Sequence, residues 1–568
     1  MLDHCSTRSF QNNKRELFYL IRGKTMKLTF YGGVKEIGGN KILLQKNKTG
    51  VLLDFGTSMG YESDFFSDFL QPRKNTAIFD RLTIGALPKI NGIYRENAFI
   101  PEGIDLLNDS KYSKILQGSS EYIQPPIETY EEYIAHHKTP FVQAILLTHA
   151  HLDHTGAIGY LHQSIPLYCT KVTQILVKAI DDVTSFTSEA LTIRSKQLEL
   201  QSDKATFPKS PTVKTNNIER PCRTLKDMER TTIGDLTITL VEQDHSVPGS
   251  ASFIVESDGK RLLYTGDIRF HGTHPLTTEE YAKKVGKPVD IMICEGTRID
   301  SDMVVTENNV QDQITKDIQN TKGLVFVDFS WKDTTRYETI RKACERAGRI
   351  LVINARLAYL LHELNIYPNN EKVKVFLKRK GSCLYSPGDY ITTKHELGFT
   401  PKKKKPDITH YEHGLLAEDI KKQPEKYVIM LSYFDLNQLF DLANGKGIIP
   451  NSRLIKAQCA PFSDEMELDE ERYIHWLDTF GISYTLDEIV VADYCRDPGC
   501  EKPRRFLKRS HVSGHAARPE LKELIDLIHP HCIIPVHTMH PELFDDIAKG
   551  IDKTIKVIKP VKGQSYIF

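Results

Sequence analysis

The stretch Thr148-His149-Ala150-His151-Leu152-Asp153-His154-Thr155-Gly156 decides how the rest of the chain is read. Three imidazoles and one carboxylate fall between residues 149 and 154, directly after the apolar run Phe141–Leu147. That run is β-rich and ends abruptly in polar residues, so it reads as a buried strand opening into a loop. His149 and His151 are two apart, so on an extended strand end they point the same way. Asp153 and His154 follow on the turn and can point elsewhere, so one loop can feed two neighbouring metal ions. Imidazole and carboxylate ligands suit zinc, with manganese or iron as alternatives. Gly156-Ala157-Ile158-Gly159 reads as the start of a helix packed close to the strand.

Composition sets outer bounds. The chain has 568 residues and 40% hydrophobic content, enough for a large core and more than one domain. Lys+Arg is 75 against Asp+Glu 74, so global charge gives no argument for a nucleic-acid partner, and any such argument rests on local patches. No apolar run is long enough to span a bilayer, so no membrane partner is expected. Met1–Lys27 carries charges throughout and lacks the apolar centre of a secretory signal. Ten scattered cysteines without scaffold spacing fit a reduced, cytoplasmic protein.

Met26 opens a strand pattern, so residues 1–25 read as an N-terminal extension. Lys27–Tyr31, a glycine-rich turn and Lys41–Gln45 read as a hairpin, because no helix follows the turn to make a phosphate site. Val51–Gly56 is the next strand and its end. Residues 61–139 are too long for an ordinary connection and read as an insertion with some structure of its own, able to form part of a substrate wall. Lys171–Leu200 reads as helical and Gln201–Arg220 as an extended linker. Leu236–Val241 is a strand ending in Asp244-His245-Ser246-Val247-Pro248-Gly249, and Arg261–Tyr264 one ending in Thr265-Gly266-Asp267. Ile291–Cys294 ends in Glu295, with Cys294 read as core. From about Thr306 strands alternate with helices, the pattern of a parallel sheet covered by helices. Late in the chain come His511-Val512-Ser513-Gly514-His515-Ala516, a helix over Arg518–Ile528, and Cys532-Ile533-Ile534-Pro535-Val536-His537. Thr554–Val561 reads as a closing strand.

The quoted loop resembles the signature of the metallo-β-lactamase-fold hydrolases. The resemblance implies an α/β fold, the αββα sandwich of that family, with one or two metals at the edge between its sheets. GGVKEIGGN followed by LLDFG resembles the opening of the ribonuclease J family, and the late VSGHA and IIPVHT stretches resemble the last two motifs of its β-CASP branch. Carried over residue by residue, the resemblance gives one metal to His149, His151 and His245, and a second to Asp153, His154 and His537. Asp267 bridges the two, and Asp54 supports the metal loop by hydrogen bonding. It implies that Asp153 also orients the attacking water. His515, steered by Glu295, sits over the scissile phosphate. The domains expected are a metallo-β-lactamase unit over 26–305, an inserted β-CASP unit over 306–505, and a return to the first unit over 506–568. The family usually carries a further C-terminal domain, whereas only the stretch 538–568 follows His537; a homodimer is the assembly considered.

Two divalent ions about 3.5–4 Å apart can hold a hydroxide and stabilise charge on a phosphorane-like transition state. The expected activity is therefore a two-metal phosphodiesterase, a ribonuclease cutting single-stranded RNA in endo or exo mode. Zinc is the expected cofactor and manganese the alternative. Basic clusters at Lys372–Lys380, Lys402–Lys405 and Lys502–Arg509 could track a backbone. Arg504 and Arg505, with Ser513 and Gly514, are the substrate-contact candidates. Cys495 and Cys500 have no second pair beside them and read as ordinary thiols. The alternatives are a DNA nuclease on the same core, which His537 disfavours because the DNA branch usually carries valine there, a small-ester hydrolase, and an inactive RNA-binding subunit.

Overall fold

A computed structural model describes residues 25–67, 69–73, 77–100, 125–184, 188–199, 212–273, 276–367, 371–379, 414–461, 463–489 and 504–568. Short β-branched and leucine-rich runs build two seven-stranded mixed sheets. The first runs Ser565–Ile567, Lys27–Gly32, Lys41–Lys46, Thr49–Phe55, Ala144–Leu146, Leu167–Cys169 and Cys222–Thr224. The second runs Lys556–Val557, Cys532–Val536, Ile291–Glu295, Lys260–Tyr264, Ala251–Ser257, Leu236–Glu242 and Arg230–Ile233.

The two sheets face each other across a core that includes Leu28, Phe30, Leu53, Leu240, Phe253, Ile293 and Val536, all buried. Each such side chain contributes about 1.5–3 kcal/mol. In Ile291–Glu295, Ile291 and Ile293 point into this core while Met292 and Cys294 face outward into another. The strand is therefore covered on both faces, which is why it reads as an unbroken apolar run. Helices Thr278–Val285, Arg518–Ile528 and Leu543–Ile551 cover the outer face of the second sheet, and helix Lys171–Val183 helps cover that of the first. Together these layers make the αββα sandwich.

The third sheet has six strands in the order Gly414–Leu415, Val373–Phe376, Ile350–Ile353, Tyr427–Met430, Val325–Asp328 and Arg453–Lys456, all parallel. Separate clusters bury its two faces, as the alternation of strands and helices from Thr306 onward requires. The sheet is consistent with a β-CASP insertion.

Several local expectations need correction. Helix Lys171–Val183 stops at Thr184, and the stretch read as its second half is a strand, Thr192–Glu199. It pairs antiparallel with Thr212–Glu219, part of the expected linker. No long helix begins at Gly156; a four-residue helix, Leu152–Thr155, precedes a single 3₁₀ turn at Ile158–Tyr160. A Cβ at Gly156 would stand 2.4 Å from Thr57 Oγ1, so the chain is pinned against the first sheet there. The closing segment forms Lys556–Val557 and Ser565–Ile567 instead of one strand, and the latter pairs with Lys27–Thr29. The described parts of 61–139 form short helices, and their Ile78, Leu82, Tyr94 and Phe99 pack with Leu52 and Phe55 on the outer face of the first sheet. Their packing serves that core.

Arg220 shows how the segment after the metal loop is held. Its buried guanidinium donates to the carbonyls of Ile158, Leu161, His162, Ile165 and Ala190. One planar cation thereby satisfies carbonyls that would otherwise be sealed without donors.

Candidate metal centre

The sheets end at a common edge, and the chemistry-bearing residues meet there. Strand Ala144–Leu146 delivers His149 and His151, and the short helix Leu152–Thr155 carries Asp153 and His154. On the second sheet His245, Asp267 and His537 each follow a strand's carboxyl end, Glu295 is the last residue of its strand, and His515 precedes helix Arg518–Ile528.

Asp54, fully buried at the end of Thr49–Phe55, organises the loop. Its Oδ1 accepts the Thr148 amide at 2.8 Å. Its Oδ2 accepts the Thr148 hydroxyl at 2.8 Å, the Tyr264 phenol at 2.7 Å and His154 Nδ1 at 2.7 Å. That donation fixes the ring orientation of His154 and turns Nε2 toward Asp267 Oδ2, 3.2 Å away. The same logic holds for the other histidines. His245 Nδ1 donates to the Gly514 carbonyl, His149 Nδ1 to Thr148 Oγ1 at 3.0 Å, and His537 Nδ1 to Thr297 Oγ1 at 2.8 Å.

Their free nitrogens converge in two groups. His149 Nε2 lies 3.0 Å and His245 Nε2 3.2 Å from His151 Nδ1, with Asp267 Oδ2 3.6 Å from His149. His537 Nε2 lies 3.1 Å from Asp153 Oδ2 and 3.5 Å from Asp267 Oδ2, with His154 completing the set. Asp267 Oδ2 belongs to both groups. Both Asp267 oxygens and His154 Nε2 are sealed from water without a hydrogen-bond partner. Buried carboxylate oxygens ringed by imidazole nitrogens are the donor set that a pair of divalent ions requires, so the residues fit that group.

Electrostatics divide the two groups. Burial drives His149 and His245 well below the usual histidine range and His151 down to about 3, so these three rings are neutral ligands. Burial opposes the charged forms of Asp153 and Asp267 too, but His154 and His537 outweigh it and hold both carboxyls below their usual range. In return, against burial, Asp267 and its carboxylate neighbours raise His154 well above the usual range and His537 to about 9. A bound cation replaces protons at such positions.

His515 stands beside this pair of sites. Its Nδ1 lies 3.1 and 3.2 Å from the two Glu295 oxygens, which in turn accept the Ile268 and Thr297 amides, each at 3.0 Å. Its ring centroid is 5.0 Å from that of His245 and 5.4 Å from that of His537.

The other candidates fall out differently. Ser513 Oγ accepts the His515 amide, and the Ser513 carbonyl accepts Arg269 Nη1 at 3.3 Å and His271 Nε2 at 3.0 Å. Those contacts, and the bond from His245 to Gly514, are internal and brace the His515 loop. Arg504 and Arg505 lie on a strand paired with Leu486–Ile489, and their side chains fall outside the described residues. Lys402–Lys405, Cys495 and Cys500 fall outside them too. In the 372–380 cluster Lys372, Lys374, Lys378 and Arg379 are each ion-paired with an acid. His529, His531 and His540 stand apart at the surface.

Some contributors carry no motif. Tyr264 and Thr148 buttress Asp54, and Glu520 holds His271 Nδ1 at 2.9 Å. Gly38 and Gly56 allow the first hairpin to close on the metal loop: a Cβ at Gly38 would come within 2.6 Å of Asp153 Cβ, and one at Gly56 would overlap the Asp153 carbonyl. The glycine-rich turn thus has a packing duty that the hairpin pattern alone does not reveal.

An αββα sandwich with this His/Asp cluster at the edge of its sheets is the architecture of a metallo-hydrolase. Residues 129–321 match the beta-lactamase superfamily domain, and residues 506–558 match the Zn-dependent metallo-hydrolase RNA specificity domain. The chain is 22% identical over 416 residues to ribonuclease J of Sinorhizobium meliloti, covering 71% of this chain and 60% of that protein. It is 22% identical over 436 residues to ribonuclease J of Pyrococcus abyssi, covering 73% and 79%. An RNase J-like protein of Methanocaldococcus jannaschii is 31% identical over 156 residues, 28% of this chain and 32% of that one. A protein of unknown function from Enterococcus faecalis V583 shares the fold, with a TM-score of 0.62 at 18% identity, over 96% of this chain and 100% of that one. The chain belongs to the metallo-β-lactamase superfamily, with a β-CASP/RMMBL domain and distant homology to ribonuclease J. Among the described residues no helix is long and apolar enough to cross a membrane.

Proposed function

We propose that the chain is a ribonuclease that hydrolyses phosphodiester bonds of single-stranded RNA. The observation that carries this reading is the sharing of Asp267 Oδ2 between two sets of convergent ligand atoms, with the His515–Glu295 pair at their side.

In this reading His149, His151 and His245 hold one divalent ion, Asp153, His154 and His537 the other, and Asp267 both; zinc is the first choice and manganese the second. Bound there, the ions supply a water acidic enough to ionise near neutral pH and a positive field for the phosphoryl oxygens. Asp153 turns an oxygen toward that water and orients it. Glu295 holds His515 by Nδ1, leaving Nε2 to hydrogen bond to the phosphoryl group or give a proton to the leaving oxygen. Asp54, Thr148 and Thr297 keep the rings aimed. The RNA specificity domain matched at 506–558 contains both His515 and His537, which supports RNA as the polymer. The boundary of the inserted unit near residues 306 and 505 belongs to the same reading.

The test is one labelled single-stranded RNA in three forms: 5′-monophosphate, 5′-hydroxyl and circular. His151→Ala controls for contaminating nuclease. Loss of only the 5′-monophosphate form, abolished in the variant, makes the enzyme a 5′-end-dependent exonuclease. Cutting of the circle makes it an endonuclease. A metal-loaded protein that leaves all three intact contradicts the proposal and directs the assay to single-stranded DNA and small esters.

A further inference from the structure

The residues that follow Asp267 hold the His515 loop from several sides. The Ala516 amide donates to the Ile268 carbonyl at 2.7 Å, and the Ile268 amide donates to Glu295 Oε1 at 3.0 Å. Glu295 in turn faces His515 Nδ1 at 3.1 and 3.2 Å. Arg269 Nη1 and His271 Nε2 both donate to the Ser513 carbonyl, at 3.3 and 3.0 Å. Ser513 Oγ then accepts the His515 amide at 3.1 Å. One short segment therefore fixes the main chain on both sides of His515 and the carboxylate that steers its ring. His515 Nδ1 comes to lie 3.9 Å from Asp267 Oδ2.

The two donors on Ser513 are not equivalent. Arg269 is committed to Asp244, with Nε at 2.9 Å and Nη2 at 3.4 Å, and its reach to Ser513 is the longer contact. His271 is buried, and its Nδ1 is seated against both Glu520 oxygens at 2.9 and 3.0 Å. Glu520 is itself fixed at the start of helix Arg518–Ile528, where its Oε2 accepts the Ala517 amide at 2.9 Å. A carbonyl can only accept, so Nε2 carries the proton toward Ser513. The helix thus aims the ring, through Glu520, at one oxygen two residues before His515. A histidine and a carboxylate buried together return little stability for the desolvation they cost. Orientation accounts for the pair better, since a misplacement of about 1 Å at a reacting group can cost about 10²-fold in rate.

We propose that His271 is a positioning residue for hydrolysis: its hydrogen bond to the Ser513 carbonyl sets where His515 stands beside the shared carboxylate of Asp267. The inference rests on the ribonuclease reading above. His271 touches neither substrate nor metal ligand in this account and acts only through His515. Its donor at Nε2 serves catalysis, and its bond at Nδ1 serves to aim that donor.

The experiment compares the full-length, metal-loaded wild type with His271→Gln, His271→Asn, His515→Ala and the double variant His271→Asn/His515→Ala. The glutamine amide nitrogen takes the place of Nε2 and keeps a donor for Ser513. The asparagine nitrogen takes the place of Nδ1 and keeps the bond to Glu520 instead. Metal per chain is counted, and single-turnover cleavage of single-stranded RNA over a range of enzyme concentrations gives a maximal rate and a half-saturating concentration. His271→Asn is expected to keep its metal and its half-saturating concentration and to cleave about 10- to 100-fold more slowly. His271→Gln is expected to keep most of the wild-type rate. The double variant is expected to be no slower than His515→Ala, because the bond acts only through that ring. A purely structural role gives the opposite order, since asparagine keeps the charge-assisted bond. A rate in His271→Asn equal to wild type, or one in His271→Gln as slow as in His271→Asn, overturns the inference and leaves the ribonuclease reading standing. A double variant slowed by a further factor equal to that of His271→Asn alone does the same. Loss of metal in His271→Asn overturns it in favour of a support for the metal ligands. A wild type that cleaves no RNA overturns the ribonuclease reading and the inference with it.

Discussion

The carboxylate of Asp54 lies 2.7 Å from His154 Nδ1, although 100 residues separate them in sequence. The same carboxylate collects the Thr148 amide, the Thr148 hydroxyl and the Tyr264 phenol. It is the point through which the first sheet, the metal loop and the second sheet agree on one geometry. Asp54→Ala leaves those donors unpaired in a sealed site and frees the His154 ring to rotate. Metal affinity is expected to fall about 10- to 100-fold, read by competition with a chromogenic chelator. Unchanged affinity would mean that Asp54 matters only for folding.

Glu295 and His515 form a hydrogen-bonded pair beside the two ligand groups. In Glu295→Gln and His515→Ala both ions are expected to stay bound while hydrolysis falls about 10²- to 10⁴-fold. His515→Ala is the more severe, since Glu295→Gln keeps an acceptor for Nδ1. Paired metal analysis and single-turnover rates check this; loss of metal in either variant would make the pair structural.

Gly514 stands where no side chain fits. An added Cβ would lie 2.8 Å from His245 Cε1 and 2.9 Å from Ser246 Cβ. Gly514→Ala is expected to push His245 off its ligating position at a cost of about 1–3 kcal/mol, with partial loss of metal and little change in helical content. Full metal occupancy in this variant would contradict the tight packing described.

Burial pushes the Asp181 carboxyl in helix Lys171–Val183 up to about 7. An acid with a raised folded pKa holds a proton that the unfolded chain has already released. Stability is therefore full below about pH 4 and falls as pH rises toward about 7, by up to about 4 kcal/mol. Asp181→Asn is expected to flatten that slope and to melt at a higher temperature than wild type at pH 7.5. Parallel pH profiles for the two proteins would show that Asp181 is not responsible.

Much of the centre is legible in sequence because each motif residue caps a strand, and strand ends can be recognised from apolar runs that stop at polar residues. His149, His245, Asp267, Glu295 and His537 have that setting, Asp153 follows on the short helix Leu152–Thr155, and the topology gathers those strand ends at one edge. What supports them is not legible. Tyr264, Arg269, His271 and Glu520 act across long sequence separations, and their local contexts look like ordinary surface or core. The stretch Ser195-Lys196-Gln197-Leu198-Glu199 reads as helix because its residues favour one. It becomes part of a strand because Thr212–Glu219 pairs with Thr192–Glu199 over eight positions, a tertiary contact that outweighs a weak local preference.

The central claim is a centre of two metal ions sharing Asp267, and the most direct test counts the ions. Native mass spectrometry with elemental analysis, on protein reloaded with zinc or with manganese, is expected to give two ions per chain for wild type. One is expected to remain in His537→Ala and none to bind tightly in Asp267→Ala. A wild type that binds no metal, or a count unchanged by either substitution, would contradict the account.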